Sequence, residues 1–281
     1  MTAGLARKLE QALAAFDLAD LRDDLPQRST GVEYRDITAI NGATAHYNGP
    51  PTSVRPNRDS EVAYYHSIAQ YHVDKVWATT ARGVPIHGAG IMYGFGIGPS
   101  GTLYWLRHLE AVTWHCANQY GNTRSLPFQL PLGGNQDATP DQWETAVRFM
   151  DAMGGVFGFD RKAIKGHREW PKYEYRGGRL VQVPNSPCPG PLLMRRLELY
   201  RRGPEAVQYR VIAPAGLKVR QGPAATFDVA LGGKAVMPQG HRFIGDTIVP
   251  DGEPVDGDPR WVHRIDGLGF MPMAWLEVWN G

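Results

Sequence analysis

Cysteine is scarce in this chain, with Cys116 and Cys188 the only two among 281 residues. Two thiols cannot build the disulfide framework of a small secreted domain. They point to a reduced compartment or a role for a single thiol, with one disulfide as the remaining formal option. Long apolar runs are missing as well. No stretch approaches the roughly 20 apolar residues that cross a bilayer, so no membrane insertion is expected. The apolar patch at the N-terminus is interrupted by Lys8 and Glu10 and no small-residue cleavage site follows, so it does not read as a secretory signal. Charge of one sign is also weak. A formal net charge of +2 without a concentrated Lys/Arg stripe argues against nucleic acid as a partner. The chain has no internal repeat and no low-complexity tract.

What is present is ordinary globular material. Hydrophobic residues at 42% and charged residues at 21% allow a sizeable core. The 33 glycines and 22 prolines predict a fold rich in turns and exclude a helical bundle. At roughly 150 residues per domain the length suggests two domains. Leu5, Leu9, Ala12, Leu13 and Phe16 recur at helical spacing and predict an amphipathic helix over 3–19. A second helix is expected after Asp59 or Ser60, with Val62, Tyr65, Ile68, Ala69, His72 and Val76 on one face. Segments 43–47, 91–97 and 102–106 read as strands. Thr139, Pro140 and Gln142 form a strong helix start, and Gly154 and Gly155 are expected to end that helix. This pattern predicts an α/β or α+β domain up to residue 202, with Gly203 and Pro204 as the boundary. From Tyr209 the short apolar runs divided by Gly, Pro and Asp predict a small β-barrel.

Three segments carry potential chemistry: Thr44–Asn48, Lys165–Glu169 and Asn185–Gly190. They offer His46, His167 and Cys188. Two neutral imidazoles and a thiolate are a known zinc set that leaves the fourth tetrahedral position to water or substrate. The alternatives remain open at this level, because a lone His near a strand end is often a satisfied polar residue and a lone Cys a small buried hydrophobe. A Cys116 nucleophile paired with His115 is disfavoured, since neighbours on a strand point to opposite faces.

Residues 30–200 resemble the type 2 N-acetylmuramoyl-L-alanine amidases, the fold of amidase-type phage endolysins and peptidoglycan recognition proteins. The resemblance rests on the His46 strand, the hairpin around Tyr93–Tyr104, the Thr113-Trp114-His115 segment, and Gly166-His167-Arg168-Glu169 followed by Cys188-Pro189-Gly190. It implies an α/β fold with a mixed central sheet flanked by helices, and a Zn2+ site at His46, His167 and Cys188. It also implies a catalytic Tyr93 inside the first hairpin strand, donating to the oxyanion. His115 matches a histidine near the substrate groove that does not bind the metal, and is carried over as a substrate contact, with a structural role as the alternative. Two positions depart from the family. Ser186 stands where many members have Lys and is carried over as catalytic. Gln129 stands where some members have a Glu base, and is carried over as a substrate contact.

Residues 205–281 resemble a bacterial SH3-like domain through Ala215–Pro223, Gly257–Trp261 and Met273–Leu276. Such domains bind cell wall or act as appendages. Trp261, Trp275 and Trp279 fall in this segment, and Trp261 is the candidate for stacking on sugar, with barrel core the other use for such large side chains. The combined expectation is a monomeric, zinc-dependent peptidoglycan amidase with an appended wall-binding domain. It would accumulate in a host cytoplasm and then cut the bond between N-acetylmuramic acid and L-alanine. A non-catalytic peptidoglycan receptor and a zinc peptidase of the stem peptide are the alternatives.

Overall fold

Two long strands, one buried throughout and the other over its first five residues, organise the first part of the chain, in the manner of strands covered on both faces. The structure is a computed structural model and describes residues 3–202, 207–223, 236–249, 251–264 and 269–278. It divides into two compact units, Met1–Leu197 and Glu198–Gly281. Gly203 and Pro204, read as the boundary, lie outside the described residues.

The first unit runs α1 (Ala3–Leu13), β1 (Leu18–Asp20), β2 (Gly42–Gly49), α2 (Arg58–Asp74), β3 (Val76–Thr79), β4 (Pro85–His87), β5 (Phe95–Ile97) and β6 (Leu103–Trp105). It continues α3 (Gln119–Arg124), β7 (Ser125–Gly133), α4 (Pro140–Phe157), β8 (Ile164–Gly166), β9 (Lys172–Arg176), β10 (Arg179–Val183) and α5 (Pro191–Arg202), which runs past the division. One mixed six-stranded sheet has the order β1-β6-β5-β7-β2-β8. Only β5 with β6 is antiparallel; the other four pairings are parallel. This is the expected mixed central sheet with helices.

Local differences from the sequence reading have identifiable causes. Helix α1 ends at Leu13 because the following residues turn into β1, whose parallel pairing of Leu18 with Leu103 overrides the helical spacing. The cap of α2 is Asn57, whose side chain accepts the Ser60 N–H, and Val76 belongs to β3. Helix α4 starts at its Thr139 cap as predicted, yet passes through Gly154 and Gly155. A helical glycine costs about 1 kcal/mol without breaking the helix. The buried Met153 and Val156 hold the pattern until Gly158 closes it with φ 75°. Tyr93 lies two residues before β5 rather than inside it. Buried Glu61 on α2 accepts from the Ser100 N–H, the Ser100 hydroxyl and the Tyr104 hydroxyl, and so fastens the β5–β6 turn to the helix.

After the end of α5, the second unit's described strands are β11 (Val207–Val211), β12 (Leu217–Lys218), β13 (Val236–Met237), β14 (Arg242–Val249), β15 (Trp261–Arg264), β16 (Phe270–Pro272) and β17 (Leu276–Val278). An antiparallel sheet has the order β16-β15-β14-β11-β17, and β12 pairs with β13. Tyr209, Val211, Val219, Phe243, Val262 and Met271 form its core. Trp261 corrects the sequence reading. It is 1% exposed and its indole N–H donates to the Glu253 carbonyl at 2.7 Å, so neither ring face is open to a sugar. The indole is a core residue because its bulk repays burial and its one polar atom finds a partner. Trp275 packs against the same core, and Trp279 lies outside the described residues.

Candidate metal-binding site

Parallel pairing brings the two histidines together. Ala45 of β2 faces Gly166 of β8 in register, so the next residues, His46 and His167, emerge side by side with ring centroids 4.9 Å apart. Gly166 is required there by close approach. A Cβ at that position would collide with the Met194 sulfur and the Pro189 ring, which pack the Cys188 loop against the strand end. The loop is pinned further by three bonds. The Arg168 N–H donates to the Cys188 carbonyl, the Cys188 N–H to the Ser186 hydroxyl at 3.1 Å, and the Tyr47 N–H to the Cys188 sulfur at 3.4 Å. Ligand atoms of His46, His167 and Cys188 all lie within 4.8 Å of one another, with His46 Nδ1 3.6 Å from Cys188 Sγ. These three residues could hold a metal ion.

Burial sets their charge states. It pulls His46 well below the ordinary histidine value, aided by the neighbouring His167 and His115. It pulls His167 down to about 4 against the opposing Asn185 hydrogen bond. Both imidazoles are therefore neutral at pH 7, the form that donates a lone pair to a metal. Burial also pushes the Cys188 thiol up to about 12. A coordinated cation reverses that last effect, since metal binding deprotonates a thiol.

The remaining candidates surround this cluster in a cleft of about 480 Å3. Tyr93 packs its ring against His46 at 5.0 Å and His72 at 5.4 Å, and burial raises its phenol well above the ordinary value, so the hydroxyl keeps its proton. Among the described residues that hydroxyl has no hydrogen-bond partner. Ser186 lines the cleft with its hydroxyl already accepting from Cys188. Gln129 of β7 is the register partner of His46 on the parallel β2, so both project from one sheet face. His115 is buried and sits within 3.0 Å of His46, on the side away from Cys188.

Gln129 is oriented by a chain that the sequence reading missed. The Pro50 carbonyl accepts from Asn48 Nδ2, which turns Asn48 Oδ1 toward Tyr64. Tyr64 must then donate to Asn48 and accept from Gln129 Nε2 at 2.5 Å. The remaining Gln129 oxygen is fully buried and has no partner. Part of the cleft lining was also missed. His72, Tyr71, Lys75, Trp77 and Trp114 belong to it, and the Lys75 ammonium sits 4.3 Å from the Trp77 ring centroid. A partial signal existed in Ile68 and Tyr71 on α2 and Lys75 at its C-cap, spaced three and four apart.

Two other segments stand apart from the cleft. The 172–183 segment with Tyr173, Tyr175 and Arg176 is the β9–β10 hairpin, exposed at the surface and absent from the cleft lining. Cys116 is buried, its thiol pushed up to about 12 and bonded to Asn122 Oδ1, which leaves it inert as a nucleophile.

The N-acetylmuramoyl-L-alanine amidase family model, Amidase_2, matches residues 36–191, a span that contains the whole cluster. The chain belongs to this family. Solved structures similar to this amidase-family chain include Drosophila PGRP-LB, at 19% identity and TM-score 0.46 over 64% of this chain and 92% of that one. The Clostridium intestinale endolysin amidase LysCS is similar at 16% identity and TM-score 0.38, again over 64% and 92%. Drosophila peptidoglycan recognition protein SD is similar at 12% identity and TM-score 0.46, over 64% and 94%. No curated protein matches the chain.

Proposed function

We propose that this protein is a zinc-dependent N-acetylmuramoyl-L-alanine amidase, a lytic enzyme of bacterial peptidoglycan that hydrolyses the amide between the lactyl group of N-acetylmuramic acid and L-alanine. The observation that carries the reading is the closure of His46, His167 and Cys188 into one cluster at a cleft, inside the amidase family span. The donor set fits zinc. Burial keeps both imidazoles neutral, Cys188 offers a thiol that a bound metal would deprotonate, and the three donor atoms lie within 4.8 Å of one another, with His46 Nδ1 3.6 Å from Cys188 Sγ. When bound, zinc supplies Lewis acidity to the scissile carbonyl and lowers the pKa of a water toward about 7.

The chain's own groups do the rest. Tyr93 donates its retained proton to the oxyanion, since its hydroxyl has no competing partner beside His46. Ser186 is a neutral second donor, weaker than the Lys found in many relatives because it brings no charge. Gln129 cannot take a proton. Its amide is held by Tyr64 on the same sheet face as His46, so it stands beside the cluster as a neutral group. The test is mass spectrometry of peptidoglycan digested by the purified protein. Intact free stem peptides are expected. Shortened peptides would make it a stem-peptide peptidase, and wall binding without any product would make it a receptor.

The second unit is proposed as an SH3-like wall anchor, a reading supported by its small five-stranded antiparallel sheet. Removal of residues 205–281 is expected to leave turnover of small soluble muropeptides unchanged. Lysis and pelleting with intact walls should fall, because a tether raises local concentration without a new catalytic contact. Wall binding by the 1–204 fragment equal to that of the full chain would remove the anchoring role.

A further inference from the structure

His115 was expected to contact substrate, but its bonds run the other way. One ring nitrogen, Nε2, lies 3.3 Å from the Gly121 carbonyl, and the other, Nδ1, lies 3.0 Å from His46 Nε2. A carbonyl oxygen only accepts, so the hydrogen of a neutral His115 sits on Nε2 and its Nδ1 presents a lone pair. His46 must then carry its own hydrogen on Nε2. That leaves a lone pair on His46 Nδ1, the nitrogen 3.6 Å from Cys188 Sγ. The opposite tautomer of His46 would set two lone pairs face to face at 3.0 Å inside a buried site, at the cost of an unmade hydrogen bond. The two rings stand nearly perpendicular, with an interplanar angle of 86°.

The anchor of this relay is rigid. Gly121 lies in α3, where its N–H donates to the Asn118 side chain and its carbonyl also accepts the Ser125 N–H. The residue after His115 is tied to the same helix, because the Cys116 N–H donates to Asn122 Oδ1 at 3.0 Å. The direction of every bond from the Gly121 carbonyl to His46 is thereby set before any metal arrives.

We propose that His115 is a positioning residue of the metal site, which fixes the tautomer and ring orientation of His46 so that Nδ1 is presented to zinc, and so raises metal affinity rather than contacting substrate. The proposal rests on the zinc reading above. Residues that hold a liganding histidine by its other nitrogen typically contribute 10- to 100-fold in metal affinity.

The experiment is chelator competition for zinc with the full chain and two variants, together with nitrogen-15 NMR of the histidine rings in the zinc-free native protein. His115→Leu fills the space without an acceptor and is expected to weaken zinc binding by about 10- to 100-fold. His115→Asn places an oxygen where Nδ1 stood and is expected to keep affinity within about threefold of the native protein, because the acceptor toward His46 is retained. Similar melting of all three zinc-free proteins separates this effect from general loss of fold. The NMR spectrum should show both His46 and His115 protonated on Nε2. A His46 protonated on Nδ1, or a His115→Leu protein that binds zinc as tightly as the native chain, overturns the proposal while leaving the zinc reading intact. A native chain that binds no zinc removes the zinc reading itself and the affinity role with it, and is recognised in the same titration.

Discussion

Cys188→Ser should bind zinc at least about 100-fold more weakly than the native protein and release no measurable stem peptide, because a serine hydroxyl stays protonated at neutral pH and only two imidazoles then remain. The change is small in volume at a position that is 5% exposed, and an oxygen there still accepts the Tyr47 N–H. Zinc-free stability should therefore shift by only about 1 kcal/mol, within the range of one exchanged hydrogen bond. Metal content by atomic emission, turnover and denaturant melting on the same preparation check the three parts. Full zinc occupancy with normal lysis in this variant would sink the ligand assignment. The comparison is informative because the cavity keeps its shape while the donor set loses its thiolate.

Tyr93→Phe is expected to lower kcat by about 100-fold or more with KM nearly unchanged, the pattern of a donor that meets charge only in the transition state. The native ring is held by contacts to His46 and His72 rather than by its hydroxyl, so the Phe ring should sit in the same place. Zinc affinity should be unaffected. A rise in KM at constant kcat would instead make Tyr93 a binding residue and move the oxyanion duty to Ser186. Ser186 already accepts the Cys188 N–H, and its hydroxyl hydrogen remains available for that role.

The residue types of the candidate cluster were readable in the chain because the proposed zinc site draws on a short list of donors, and His46, His167 and Cys188 belong to it. The cap at Thr139 and the strand around His46 were readable for a similar reason. Each depends on side chains within a few positions of one another, so local pattern carries the information. Errors fell where a distant partner decided the outcome. Residues beyond Leu13 gave up helix for a parallel pairing with β6, more than 80 positions away. Trp261 looked like a sugar platform from composition, yet the Glu253 carbonyl and the core claimed it.

Charge, cysteine scarcity, the α/β character and the candidate ligands follow from the chain alone, since each is a property of composition or of short-range spacing. Tertiary packing decided what each neighbour of those ligands does. His115 became a partner of His46 only because α3 places the Gly121 carbonyl behind it. Gln129 acquired a free buried oxygen only because Asn48 and Tyr64, from two other elements, settle its orientation. Hydrogen-bond direction is set by the last fixed acceptor in a chain of contacts. In this protein those acceptors, the carbonyls of Gly121 and Pro50, lie within six positions of the side chains they orient, while the partners those side chains meet, His46 for His115 and Tyr64 with Gln129 for Asn48, arrive only in the folded chain.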